Sequence, residues 1–162
     1  YVCEAANSQT FFEVGIDHGK NPENASYAYA IIPYTDCKSL AAYRDEPEVK
    51  IISNTPECQA AEKPSLGLKS YVFYGAGECD GVKVSGPAIV SILEKNGETV
   101  VSLSDMTQKQ RSVRLALPFA GELVSAGSGV RMKCESGAVS VDVNTFMAHG
   151  RRFEIKIKKA NR

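Results

Sequence analysis

Hydrophobic and polar positions along this chain alternate chiefly at a period of two. Near one end, Phe153, Ile155 and Ile157 alternate with Glu154, Lys156 and Lys158, the pattern of a strand with one buried and one wet face. Tyr27, Tyr29 and Ile31 repeat the same period and predict a strand over 26–33. Runs rich in β-branched and aromatic residues predict further strands over 10–16, 49–52, 57–61, 70–74, 88–93, 99–103, 112–117, 122–125, 130–134, 138–143 and 152–157. Gly75-Ala76-Gly77 stops one of these runs. Asn96-Gly97 supplies the two positive-φ residues of a type I′ turn, so 88–93 and 99–103 read as a hairpin. The runs 10–16 and 26–33 flank a polar stretch from Asp17 to Asn24 and predict a hairpin with an elaborate loop. One stretch reads as helical, over 36–43: Asp36 can cap it, Leu40 and Tyr43 lie three apart, and Pro47 shuts it off. Turn glycines recur at roughly 8–12-residue spacing, and strands do not alternate with helices. The expected fold is all-β, an antiparallel β-sandwich with one short helix.

Composition narrows the partners. The chain has 162 residues, enough for one domain or a domain plus part of a neighbour. Lys and Arg number 19 and so do Asp and Glu, which argues against a dedicated nucleic-acid binder. No apolar run reaches the ~18 residues that mark a membrane-spanning helix, so no membrane span is expected. Charge is unevenly placed: residues 1–65 hold ten acids and five bases, and residues 66–162 hold nine acids and fourteen bases. The basic part could face a polyanion, although lysines that guard exposed strand edges are the plainer explanation. The chain opens on Tyr1-Val2-Cys3 with no leader pattern, which reads as a processed product or a piece of something longer.

Candidate chemistry is sparse. Cys3, Cys37, Cys58, Cys79 and Cys134 show no C-x-x-C or His-paired spacing, so no metal site is expected. Their odd number leaves at least one thiol free or paired outside the chain; buried thiols and one or two disulfides remain equally open. Oxygen ligands for calcium could come from Asp17, Asn21, Glu23 and Asn24, but the spacing is not that of an EF-hand. His18 and His149 each sit by a glycine, where a histidine is more often a hydrogen-bonding prop than a base. Asn24-Ala25-Ser26 fits a glycosylation acceptor. No nucleophile elbow, phosphate-cradling loop or H-E-x-x-H stretch is present, and no cofactor is expected.

Three segments carry a resemblance. Residues 17–33, from Asp17-His18-Gly19 through Pro22, Tyr27 and Tyr29 to Pro33, resemble the D-H-G-x-x-P-x-x-x-x-Y-x-Y-x-x-x-P stretch of polysaccharide lyase family 8, the hyaluronate, chondroitin and xanthan lyases. Residues 51–60, with Asn54-Thr55 and Gln59-Ala60, resemble the opening of that family's C-terminal sandwich. Leu103-Ser104-Asp105-Met106-Thr107-Gln108 resembles its later S-D-P-T turn, with Met106 where proline is usual.

The resemblance implies a secreted parent enzyme, extracellular or periplasmic, that cleaves uronic-acid polysaccharides by β-elimination. The family's helical toroid supplies the base and the groups that neutralise the substrate carboxylate, the step that makes a weak carbon acid removable. No segment here matches the toroid, so no catalytic residue carries over and the isolated chain is expected to be inactive. Residues 1–48 then read as the tail of the central β-sandwich and 49–162 as the C-terminal sandwich. Expected partners are the upstream toroid of the same parent chain and, through it, an acidic polysaccharide. Asp17, His18, Asn21 and Asn24 are the candidate sugar-contacting residues, against the plainer reading that they brace a turn. Arg151, Arg152, Lys156 and Lys158 could attract an acidic glycan as weak point charges. The alternatives are a free-standing carbohydrate-binding or adhesion module and a structural domain with no ligand.

Overall fold

In the computed structural model, residues 13–135 and 137–160 are described. The chain divides into two units, residues 1–34 and 35–162.

In the first unit, residues 13–34 form no regular helix or strand; bends fall at 20–21 and 23–24 and a turn at Pro33-Tyr34. The strand expected over 26–33 is therefore not formed, and neither is the described part of the one expected over 10–16; residues 10–12 lie outside the described residues. Alternation states which face a strand would bury, but the hydrogen-bond partners must come from a neighbouring strand. Among the described residues no strand pairs with this segment, and Tyr27, Tyr29 and Ile31 stand 61%, 73% and 82% exposed.

The second unit starts with helix α1 (Cys37–Asp45). Asp36 caps it by accepting a hydrogen bond from the Ser39 backbone N–H at 2.7 Å, and that bond holds the Asp36 carboxyl below its ordinary range. The helix buries no residue. Among the described residues twelve strands follow: β1 (Lys50–Asn54), β2 (Cys58–Lys63), β3 (Leu68–Phe73), β4 (Gly77–Cys79), β5 (Val82–Val84), β6 (Ala88–Lys95), β7 (Glu98–Ser104), β8 (Ser112–Leu117), β9 (Gly121–Ala126), β10 (Val130–Glu135), β11 (Ala138–Asn144) and β12 (Phe153–Lys159). They form a seven-stranded sheet in the order β1-β2-β3-β6-β7-β12-β9 and a five-stranded sheet in the order β10-β11-β8-β5-β4. All pairings are antiparallel.

The core lies between the sheets, because each strand sends every second side chain inward. Val101, Leu103, Ile155 and Ile157 from the larger sheet meet Val113, Leu115, Leu117, Val139, Val141 and Val143 from the smaller one, all fully buried. The expected all-β sandwich with one short helix is the observed fold.

Two features escaped the pattern. Strands β4 and β5 have three residues each, too few to display an alternation, and Asp80-Gly81 joins them at φ +50° and +76°. That is the chemistry of the correctly read Asn96-Gly97 turn, at +54° and +77°. A short 3₁₀ turn, Pro64–Leu66, ends at Gly67 in the left-handed region. A Cβ at Gly67 would stand 2.8 Å from the Glu94 carbonyl oxygen, so glycine is needed for the close approach as well as for φ.

Strand β12 also corrects an expectation. It is flanked by β7 and β9, so Lys156 and Lys158 lie on the outer face of an interior strand and guard no edge.

Candidate functional site

The sequence-predicted contact residues occupy an exposed turn of the first unit. Asp17 accepts a hydrogen bond from the Gly19 N–H at 2.7 Å, closing an Asx turn. Gly19 takes φ +77°, and Asn21 and Asn24 both take +55°, a conformation asparagine tolerates better than most residues. The His18 ring lies 6.1 Å from that of Tyr27, which stacks on Tyr29 at 6.4 Å and 16°. The segment thus sets the His18 ring near Tyr27 and Tyr27 against Tyr29, with the Asp17 carboxylate and the Asn21 and Asn24 amides in the same exposed stretch. These groups can hydrogen-bond sugar hydroxyls and pack against sugar C–H faces. Tyr27 and Tyr29, which the alternation put on one face of an expected strand, lie in no strand and stay exposed. Among the described residues no His, Cys, Asp and Glu cluster suited to a metal ion forms.

In the sandwich the most heavily bonded polar side chain is Asp105, 3% exposed. Its Oδ1 accepts from the Thr107 N–H at 2.9 Å, the Thr107 hydroxyl at 2.7 Å and Gln110 Nε2 at 2.8 Å. Its Oδ2 accepts from the Gln110 N–H at 2.9 Å. Burial alone would raise this carboxyl; the hydrogen bonds from Thr107 and Gln110 outweigh it and hold the pKa at about 2. Gln110 also donates to the Pro87 carbonyl at 2.7 Å, and the Thr145 hydroxyl donates to the Gln110 carbonyl at 2.8 Å. The S-D-M-T turn is therefore a clip joining three loops at one end of the sandwich.

A second polar group ties β3 to the β4–β5 turn. Asp80 Oδ2 accepts from Lys69 Nζ at 2.6 Å and from the buried Tyr71 hydroxyl at 3.0 Å. The Lys69 bond holds the Asp80 carboxyl low, whereas burial, and then Asp80, push the Tyr71 phenol up.

Four cysteines lie among the described residues, all as thiols. Cys37 and Cys134 are exposed and Cys58 is buried; burial first, and then contact with Cys79, push the Cys58 thiol up to about 12. Labelling of the folded, reduced chain with Ellman's reagent at mildly alkaline pH should modify Cys37 and Cys134 quickly and Cys58 only on unfolding. Rapid modification of Cys58 in the folded protein would contradict its placement in the core.

The architecture defines the class first: an antiparallel β-sandwich of two unequal sheets that packs one continuous core. Residues 50–114 match the family model described as polysaccharide lyase family 8, C-terminal beta-sandwich domain. The chain is 28% identical over 152 residues to a xanthan lyase of Bacillus sp. (strain GL1), a match that covers 91% of this chain and 16% of that protein. It is 30% identical over 106 residues to a hyaluronate lyase of Thermasporomyces composti, covering 65% and 14% respectively. The crystal structure of a chondroitin AC lyase of Streptomyces coelicolor A3 superposes with a TM-score of 0.80 at 20% identity, over 89% of this chain and 19% of that one; that likeness concerns the fold. Over its sandwich this chain is thus similar to the C-terminal β-sandwich domain of polysaccharide lyase family 8. It spans about a sixth of the length of the curated relatives it matches.

Proposed function

We propose that the chain is a non-catalytic sandwich module of a secreted polysaccharide lyase acting on uronic-acid polysaccharides. In this reading residues 49–162 are the C-terminal sandwich, residues 1–48 are the end of the preceding sandwich domain, and both buttress an upstream helical catalytic domain. The observation that carries it is the family match, which falls on a C-terminal sandwich, in a chain that spans about a sixth of its lyase relatives. What the sandwich itself offers agrees with a supporting role: Asp105 and Asp80 spend their acceptor capacity on backbone and side-chain donors that hold loops together. The parent would abstract the proton next to the uronate carboxylate with residues upstream of this chain, while Asp17, His18, Asn21 and Asn24 present hydrogen-bonding groups to sugar or to the domain seam. The purified chain, incubated with hyaluronan, chondroitin or xanthan, is expected to release no unsaturated uronate, read as ultraviolet absorbance. Clear turnover by the isolated chain would overturn the assignment.

A further inference from the structure

Strand alternation puts Val113, Leu115, Val141 and Val143 of the five-stranded sheet into the core, so Ser112, Arg114, Asp142 and Asn144 point away from it. On the edge strand, Arg131 shares their face. Register places Arg131 opposite Asp142, and Asp142 opposite Arg114. One row across the sheet therefore reads cation, carboxylate, cation, with its outer members two strand spacings apart, about 10 Å.

The sheet and its flanking loops form an open groove of about 690 Å³ lined by Arg111, Ser112, Arg114, Arg131, Asn144 and Phe146, among others. That is the size range of sites that take small organic ligands. Asp142 is its single carboxylate and is paired with Arg114 at 2.9 Å. Arg131 has no ion-pair partner among the described residues, and Arg111 has none beyond the Phe146 ring, 5.2 Å from its guanidinium carbon. The lining thus carries a net positive charge, with Ser112 and Asn144 as short polar groups between the arginines. Phe146 stands 57% exposed beside them.

The groove is also held in shape. Backbone N–H groups of Thr145 and Phe146 both donate to the Arg111 carbonyl at 3.1 Å, and Phe146 N–H also lies 3.1 Å from Asn144 Oδ1. Arg111 and Phe146 are thereby locked to each other through the main chain. Next to them Met147, His149 and Gly150 take φ of +53°, +51° and +75°. A non-glycine residue in this region is strained, and such strain persists only where the surroundings impose it. A depression of about 400 Å³ shares Gly129, Asn144 and Phe146 with the groove and leads to Arg151.

Guanidinium groups matched to planar oxyanions, an exposed ring, and short amides and hydroxyls form the recognition set for an acidic sugar chain. We propose that this groove on the outer face of the five-stranded sheet binds a carboxylated or sulfated polysaccharide strand, with Arg111 and Arg131 on the acid groups and Phe146 against a sugar face. The inference rests on the lyase-module reading for its choice of polyanion. It gives the module a glycan contact built from residues of the second unit alone.

The test is calorimetric titration of the 162-residue chain with hyaluronan and chondroitin sulfate oligosaccharides, with neutral dextran and a single-stranded oligonucleotide as comparison ligands. Binding of the two acidic glycans, absent for dextran, weaker for the oligonucleotide and weakened by salt, is the expected result. The exposed double variant R111A/R131A should lose at least tenfold in affinity with an unchanged melting temperature, and R111K/R131K should recover part of the loss. Phe146→Ala should weaken both glycans without altering the salt dependence. Equal affinity in wild type and the double variant, binding of the oligonucleotide as tight as that of the glycans, or no glycan binding at all would overturn the groove assignment. None of these outcomes touches the lyase-module reading, which stands or falls on turnover by the isolated chain.

Discussion

Asp105→Ala is expected to destabilise the sandwich by about 3 kcal/mol, measured as the free energy of chemical unfolding. The substitution leaves four donors on Thr107 and Gln110 without their acceptor in a site that is 3% exposed, and each unsatisfied buried group costs roughly 1–3 kcal/mol before loops relax toward water. Asp105→Asn keeps one acceptor oxygen and should lose less. The same carboxylate gives stability an acid limb. Its pKa falls from an ordinary 3.8 to about 2 in the folded chain, so the unfolded chain binds the proton more readily. The contribution, of order 2 kcal/mol, is present in full above the unfolded value and is lost as pH drops from about 4 through 2. Unfolding titrations over that interval should show the limb in the wild type and a flatter profile in Asp105→Asn. A loss below 1 kcal/mol in Asp105→Ala, with an unchanged acid limb, would mean that the clip does not hold the three loops.

Ile155→Ala should cost about 3–4 kcal/mol, the range for removing most of a fully buried aliphatic side chain and leaving a cavity. Ile155 is fully buried and its strand is hydrogen-bonded on both sides, Ile155 opposite Val101 on β7 and Ala126 on β9. A void there faces both sheets and cannot be filled by a shift of an edge. Ile89, on β6 of the same sheet but 44% exposed, is the control: Ile89→Ala should stay within about 1 kcal/mol of the wild type. Comparable losses at the two positions would show that the core is not where the strand alternation puts it.

The two positions also show how far a reading of the chain by itself can go. Period-two alternation alone places Ile155 on the buried face, because a strand's geometry forces successive side chains to opposite faces whatever it packs against. The Asn96-Gly97 hairpin and the Asp36 cap were legible for the same reason: a turn and a helix end are settled by a few adjacent residues. The alternation of Tyr27, Tyr29 and Ile31 misled, since it names a face but cannot supply a pairing strand. Strands β4 and β5 were too short to leave any pattern.

Asp105 and the groove mark the boundary from the other side. The S-D-M-T stretch was noticeable as a motif, yet its partners include Gln110, itself tied to Pro87 and Thr145; no spacing rule links residues 87, 105 and 145. Arg111 and Arg114 are near neighbours in the chain, but Arg131 lies 17 residues beyond Arg114 with no local signature linking them, and only sheet order and register set Arg131 and Arg114 on either side of Asp142. What the residues determined alone was local: the strand periods, the turns, the cap, the all-β class. Which strands became neighbours, and so which charges share a surface, was decided by the packing of two sheets over a common core, because burial rewards any apolar face equally and only the complete arrangement selects among the possible pairings.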